Sequence, residues 1–448
     1  MSTLKVNKLR DTAGSADAIT LDPNGGAVLA GVTTVSTVKV GSGVTISSDG
    51  DVFTTGITTS STVIVGSGVT ISESGIEASG IGITVANING GQIGGRRNLV
   101  INGAAMVAQR GASGAASAGY YSVDRFQLDF GSGTDENPSQ SQSDVASGTT
   151  PYTEGFRKAL KITNGNQTTS VASNTGLYFQ VLYKFESQDI AKSGWNYTNP
   201  NSFITLSFWV KSSVAQEFYA RLQTTDGTSY NYPFSLGSLS ADTWTKVVKT
   251  IPGNSNLQFD NNVEQGLAIE WVMYRGTGKT GSGATLNTWK VYDGDERIPD
   301  MASTYYETND ATYELTGVQM ELGTQATPFE HRSKGEETRL CQRYFYPYLR
   351  GTDNYENIAL GYSYSSTAGM LLLIPPVEMR DTPSLSTSGT FNANDGGDDT
   401  AFTFGFEGQG STRCFRLNIT NFSTTTGRGF QLRSHANTTS RFDLSAEL

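Results

Sequence analysis

Four aromatic residues sit in turn-rich loops where a ring need not belong to a core strand: Trp195 and Tyr197 in SGWNYTNPNS, and Tyr230 and Tyr232 in TSYNYPF. An aromatic ring can stack on the apolar face of a sugar, and neighbouring amides can bond its hydroxyls. These two pairs are therefore the candidate glycan-binding residues. The plainer reading is that the rings pack the loops onto their scaffold or line a subunit interface. Trp209, Trp244, Trp271 and Trp289 lie in or beside strand-like stretches and are expected in a core or between sheets.

Other chemistry has less to be built from. The acidic turn DGDE (293–296) offers oxygens to a hard cation such as calcium but lacks the full spacing of a known loop, and Asp398–Asp399 within NDGGDD is weaker still. Neither is taken as a metal site. A glycan-cleaving enzyme needs two carboxylates about 5–10 Å apart across a cleft, and no acidic pair stands out from its surroundings. With His331 and His435 as the only histidines, a zinc site or a His-based triad has few parts. GTGKTGSG (276–283) lacks the GxxxxGK[ST] spacing of a phosphate loop. Cys341 and Cys414 are the only cysteines and make no disulfide scaffold. The expectation is a binding or structural protein, not an enzyme, with no cofactor.

The elements that must position these loops are strands. In 448 residues, hydrophobic types reach 36% and charged types only 17%, with 51 Gly. That profile, rich also in aromatics, is not one of disorder; it suits short strands joined by tight turns. Period-two alternation recurs. Leu177, Phe179, Val181, Tyr183 and Phe185 share one face, as do Ile204, Leu206, Phe208 and Val210, and Leu267, Ile269, Trp271 and Met273 stand opposite Glu270. TWTKVVKTI and TYELTGVQMELG add strands, the latter with a bulge expected at Thr316–Gly317. A jelly-roll sandwich over 99–335 is the natural closure for so many strands. One helix is expected in GEETRLCQRYFY (335–346), which opens with acidic residues and joins the sandwich to a small terminal β-domain over 336–448. The fold class is all-β.

A different texture precedes Tyr120. VGSGVTIS occurs at 40–47 and again at 65–72, a shift of 25 residues. The same shift aligns TLDPNGGAVLAGVTT (20–34) with TISSDGDVFTTGITT (45–59), and TISESGIEASGIGIT (70–84) forms a third copy. Each unit reads as short β-branched segments between turns, with few large apolar residues, so one unit alone cannot offset its own ordering entropy. Identical strands from neighbouring chains would supply the missing core. A homotrimeric β-stalk over 20–98 is therefore expected, against the alternative of a flexible Gly/Ser-like linker.

The net charge of −10 gives nucleic acid no basic surface to hold. No apolar run reaches the ~18 residues of a membrane span, and the first 30 residues hold no signal-peptide core. An extracellular role is thus expected to be reached by release within a particle.

These residues resemble virion fibre proteins of tailed bacteriophages, especially those infecting cyanobacteria. STLKVNKLRDTAGSADAITLDPNGGAVLAG (2–31) is similar to the opening of many such fibres. RRNLVINGAAMVAQRG (96–111) with YYSVDRFQL (120–128) looks like the entry to their globular domain, though Ala108 stands where Trp is common. GVQMELGTQATPFEHRSKGEETRLCQRYF (317–345) is the most specific match, supported by PPVEMRDTPSL (375–385) and the closing FDLSAEL. The resemblance implies a tail fibre located on the virion. Residues 1–19 would attach to other virion proteins, and a jelly-roll similar to a carbohydrate-binding module would meet a host-surface glycan. A structural accessory of neck, collar or capsid and a polysaccharide depolymerase are the alternatives.

Overall fold

The computed structural model describes residues 96–448, apart from Ser132, Thr352, 400–401 and 408–410, together with six short strands earlier in the chain. It is all-β, 41% strand against 8% helix, so the helices can only cap and join. The chain divides into two compact units, Met1–Thr84 and Val85–Leu448.

In the first unit, Lys8–Leu9, Ile19–Leu21 and Ala27–Leu29 form one antiparallel meander, and Thr62–Val65, Val69–Ser72 and Gly75–Ala78 form another. Thr20 pairs with Val28, and Thr70, fifty residues on, pairs with Glu77. The same strand of the repeat thus recurs as the middle strand of both meanders, its partner lying eight residues on in the first and seven in the second. The rest of the repeat, and with it the expected stalk, lies outside the described residues.

The second unit begins with a two-sheet sandwich. One sheet has the order Lys290–Val291, Tyr230–Leu239, Gln216–Thr224, Gln265–Arg275, Tyr178–Glu186, Phe126–Gly131; the other runs Thr245–Pro252, Phe203–Ser212, Thr312–Leu322, Lys158–Thr163, Ser139–Asp144. The alternating residues meet between them. Leu177, Phe179, Val181, Ile204, Leu206, Phe208, Val210, Leu267, Ile269, Trp271 and Met273 are all fully buried in one cluster. Phe208 packs edge-on to Trp271 with centroids 5.7 Å apart. At the expected bulge the register slips between Ser207 and Trp209, opposite Gln319 and Thr316. Gly317 takes φ +65° there, and a Cβ on it would come within 2.7 Å of the Phe156 ring. Only glycine meets both demands.

The outer face of the five-stranded sheet is covered too. Trp209, Phe156, Val145 and Ala159 form a second cluster there, which is why Trp209, on the opposite face from Phe208, is also buried.

The helix is Lys334–Cys341, shorter than the sequence suggested. Ser333 caps it by accepting from the Glu336 N–H, and Glu336 and Glu337 occupy its first turn. It stops because Phe345–Leu349 is a strand, alternating buried and half-buried residues as it pairs with Arg441–Ser445. Beyond it lie that three-stranded sheet, completed by Ser384–Ser388, and a seven-stranded sheet running from Asp398–Asp399 through Phe391–Asn394, Gly429–Ser434, Asn357–Ser363, Ala368–Leu373 and Phe415–Thr420 to Thr403–Glu407. Leu371, Leu373, Phe415, Leu417, Phe430, Leu432, Phe442 and Leu444 fill the core between them.

This second core is joined to the sandwich by buried charge. Arg125 is 1% exposed. It donates to Glu447 (2.6 Å) and to the Lys184 carbonyl (2.7 Å), and its guanidinium lies 3.4 Å from the centre of the Tyr344 ring. Arg110 reaches Glu447 at 3.1 Å, and Arg343 clasps Glu186 through two bonds of 2.7 Å. Arg380 donates to the Ala446 carbonyl on one side and to the Val263 carbonyl on the other. Two hydrophobic cores therefore share one seam of hydrogen-bonded ion pairs.

Candidate functional site

The four sequence-predicted rings divide into two kinds. Trp195 is 4% exposed, donates its indole N–H to the Ser202 carbonyl (3.2 Å) and packs against Phe259. Tyr232 is 3% exposed and leans on Trp289, centroids 5.0 Å apart. Both rings face inward and have no face free for a sugar. Tyr197 and Tyr230 are half-buried and keep part of each ring open. Tyr197 sits edge-on to Phe259 at 4.9 Å. The two pairs share one rim of the sandwich, because residues 252–254 lie between them. Asn254 donates to the Tyr197 carbonyl (2.7 Å), and Trp289 donates to the Pro252 carbonyl (2.8 Å).

A larger polar feature crosses the outer face of the six-stranded sheet. Glu270, expected on a plain outer face, is 4% exposed and central to it. Arg221 donates to both its oxygens, and Arg275 bonds it at 3.0 Å. Arg221 continues to Asn231 (3.1 Å) and Gln223 (2.7 Å), while Arg275 continues to Gln180, which bonds Asp129 at 2.7 Å. The row spans five strands. Burial raises the Glu270 pKa, but Arg221 and Arg275 outweigh burial and hold it below the usual carboxylate range. Asp129 has no such cation in contact, and burial pushes it up despite the bond from Gln180. Nε and Nη1 of Arg275 are buried without a protein partner. This row was missed in the sequence; its signal was a charge at outward positions of otherwise apolar strands, Arg221 in YARLQT and Glu270 in AIEWVMYR.

A groove of about 660 Å³ lies beside the helix Lys334–Cys341, lined by Arg96, Ile101, Asp189, Arg339, Leu340 and Glu378 among others. A second hollow of about 520 Å³ shares Arg96, Ile101, Asp189 and Leu340 with it. Crowding by neighbouring atoms desolvates the Asp189 carboxyl, and with the Glu186 carboxylate nearby its pKa rises to about 6. Glu378 in the same groove is held low by hydrogen bonds from Arg413 and Thr412, at 2.7 Å each. Asp189 remains exposed, and water at its carboxyl limits that rise, so the two carboxyls differ in the direction in which their surroundings push them.

The remaining sequence candidates are bound up structurally. His331 contacts the Glu154 carbonyl at 2.9 Å and packs on Phe156 and Phe329. Asp293 accepts from the Asp295 N–H within its own turn. Among the described residues, no group of three or more His, Cys, Asp or Glu side chains is arranged to hold a metal. Cys341 and Cys414 are both free thiols. No described helix is long and apolar enough to cross a membrane.

No protein-family model matches the sequence, and no curated protein matches it. Among solved structures, the chain is similar to the enzymatically active domain of tailspike protein 4 of bacteriophage CBA120, at 9% identity and TM-score 0.27, covering 50% of this chain and 21% of that one. It is similar to the CBM22-1–GH10 modules of Clostridium thermocellum xylanase 10B, at 7% identity and TM-score 0.23, covering 55% of this chain and 32% of that one. It is also similar to a family 16 carbohydrate-binding module, at 11% identity and TM-score 0.19, covering 37% of this chain and 77% of that one. The chain spans about a fifth of the tailspike structure's length. At these scores the likenesses carry no argument about what this chain does.

Proposed function

We propose that the chain is a fibre component of a virus particle, a tail fibre that attaches through its N-terminal segment and presents its β-sandwich to a glycan on the host surface. One observation carries this reading: a repeat of short strands, poor in apolar residues, leads into a sandwich with half-open aromatic rings on one rim. A sequence repeat at 25 residues, seen again as equivalent strand pairings fifty residues apart, is the economy of an elongated, multi-copy element. Tyr197, beside the exposed amide of Asn196, and Tyr230 are the residues assigned to the sugar. In the homotrimer that the repeats favour, three such rims would act together, and weak single contacts would sum to useful avidity.

Light scattering combined with small-angle X-ray scattering on the full chain tests the first half. An elongated trimer is expected, and a compact monomer would sink the reading. Adsorption of purified protein to host cells, with Tyr197→Ala and Tyr230→Ala in parallel, tests the second. Unchanged adsorption by both variants would remove these rings from the site. No adsorption by any form would favour a purely structural accessory.

The groove gives a second reading, a polysaccharide depolymerase. Glycoside hydrolysis needs one carboxyl able to donate a proton and one kept ionised. Asp189 and Glu378 line one groove with pKa values pushed in those opposite directions. Release of oligosaccharide from host envelope glycan, abolished by Asp189→Asn, is the result that would establish it.

A further inference from the structure

From position 357 to position 374 the sequence NIALGYSYSSTAGMLLLI contains no charged residue. It forms a hairpin, Asn357–Ser363 paired with Ala368–Leu373, in the middle of the seven-stranded sheet. The inner face is built for the core. Leu371 and Leu373 are buried, and Gly361 and Gly369 leave the space that the Phe430 ring occupies. The outer face is equally apolar and uncovered. Leu360 is 76% exposed, Ile374 65%, Leu372 56% and Tyr362 51%. Tyr362 pairs with Met370, and strand alternation puts Leu360 and Leu372 next on the same side.

Exposed apolar residues scattered singly need no explanation, whereas a contiguous set on two paired strands marks an interaction surface. Four side chains of this size, each more than half open, expose on the order of 500 Å² of apolar surface, the size of a functional patch. Two such patches face to face bury roughly 1,000 Å², where specific interfaces begin. The chemistry selects the partner. The hairpin itself carries no charge, Arg416 and Gln431 border it as the cross-strand partners of Leu372 and Leu360, and aliphatic side chains dominate its exposed surface. Copies of a chain of charge −10 repel one another, and a hairpin without acidic residues lets two approach without setting carboxylates together. Sheet faces pack on one another, and a two-fold axis sets the same face of two copies together.

We propose that the outer face of this hairpin is a self-association surface, on which a second copy of this chain packs sheet against sheet. This goes beyond the fibre reading, which needs contacts between copies only in the repeat, and it does not depend on those contacts.

The test uses the full chain in a Cys414→Ser background, because Cys414 is partly open and Cys341 is buried. Leu372→Cys is treated with a short bis-maleimide, with the exposed Thr387→Cys on the three-stranded sheet as control, and each is repeated with Leu360→Asp added. Inter-chain cross-linking at 372 but not at 387, reduced tenfold or more by Leu360→Asp with an unchanged near-UV spectrum, is the expected result. An oligomer that does not cross-link at 372 overturns this inference and leaves the fibre reading intact. A monomer at every concentration overturns both. Binding to neutral phosphatidylcholine vesicles that Leu360→Asp abolishes, without cross-linking, would assign the face to lipid and overturn the inference.

Discussion

The six-stranded sheet of the sandwich and the seven-stranded sheet near the C-terminus each bury one face in a core and turn the other outward. On the first, the outer face is charged and yet closed to water, Glu270 lying between Arg221 and Arg275. On the second, its central hairpin is aliphatic and yet open to water, Leu360 and Leu372 being more than half exposed. Each inverts the ordinary expectation for its residue types. An ion row taken out of water needs every partner in place, so it fixes one arrangement of strands. An apolar face left in water has lost nothing yet, and its stabilisation is available to whatever covers it. The first face therefore acts within the chain, and the second is suited to act between chains.

Substitutions can break this contrast. The largest effect is expected from Glu270→Ala, which strands two buried guanidinia; a loss of about 3–5 kcal/mol is expected for a broken buried pair. A fall in the urea midpoint of that size would show the row to be structural, and an unchanged midpoint would mean that the strands do not need it. Gly317→Ala should cost on the order of 2–3 kcal/mol, because a side chain at positive φ meets the Phe156 ring. Next comes pH. Burial pushes the Asp124 carboxyl up to about 6, against the opposing pull of Arg110 and a bond from Gln109. The folded state then holds its proton more tightly than the unfolded chain, so stability falls as pH rises from about 4 to about 6. The difference is on the order of 2–3 kcal/mol, and Asp124→Asn should flatten it in urea titrations at pH 4.5 and 7.5. The smallest effect is expected from Leu360→Thr with Leu372→Thr, within about 0.5 kcal/mol for the isolated fold. A large loss there would mean that the face is already buried against something in the folded chain.

Much of the sandwich was legible because its strands alternate strictly. The inward sets beginning at Leu177, Ile204 and Leu267 are the core, and the bulge at Gly317 followed from a glycine interrupting a run of alternation. The helix was overdrawn. Tyr344 and Phe345 continue a helical spacing in sequence, but Phe345 is claimed by pairing with Ser445, a contact one hundred residues away that no local pattern reveals. The candidate site was harder to read for a similar reason. Trp195 and Tyr232 carry turn residues around them, and turns say that a backbone reverses, not which way a ring points. Phe259 and Trp289, which draw those rings inward, come from distant loops. Asp189 could not be singled out at all, because crowding in the folded chain, reinforced by Glu186, is what raises its pKa.

One contact near the start of the second unit bears on mechanics. Glu330 accepts the backbone N–H groups of Arg97 (2.6 Å) and Asn98 (2.7 Å), Arg332 holds the Asn98 carbonyl, and Leu99 donates to the Met320 carbonyl (2.9 Å). Any tension transmitted along the preceding chain arrives first at these bonds. Several of them carry load in parallel, and they are anchored on Thr312–Leu322, an inner strand of the five-stranded sheet. Displacing residues 97–99 breaks several hydrogen bonds, not one.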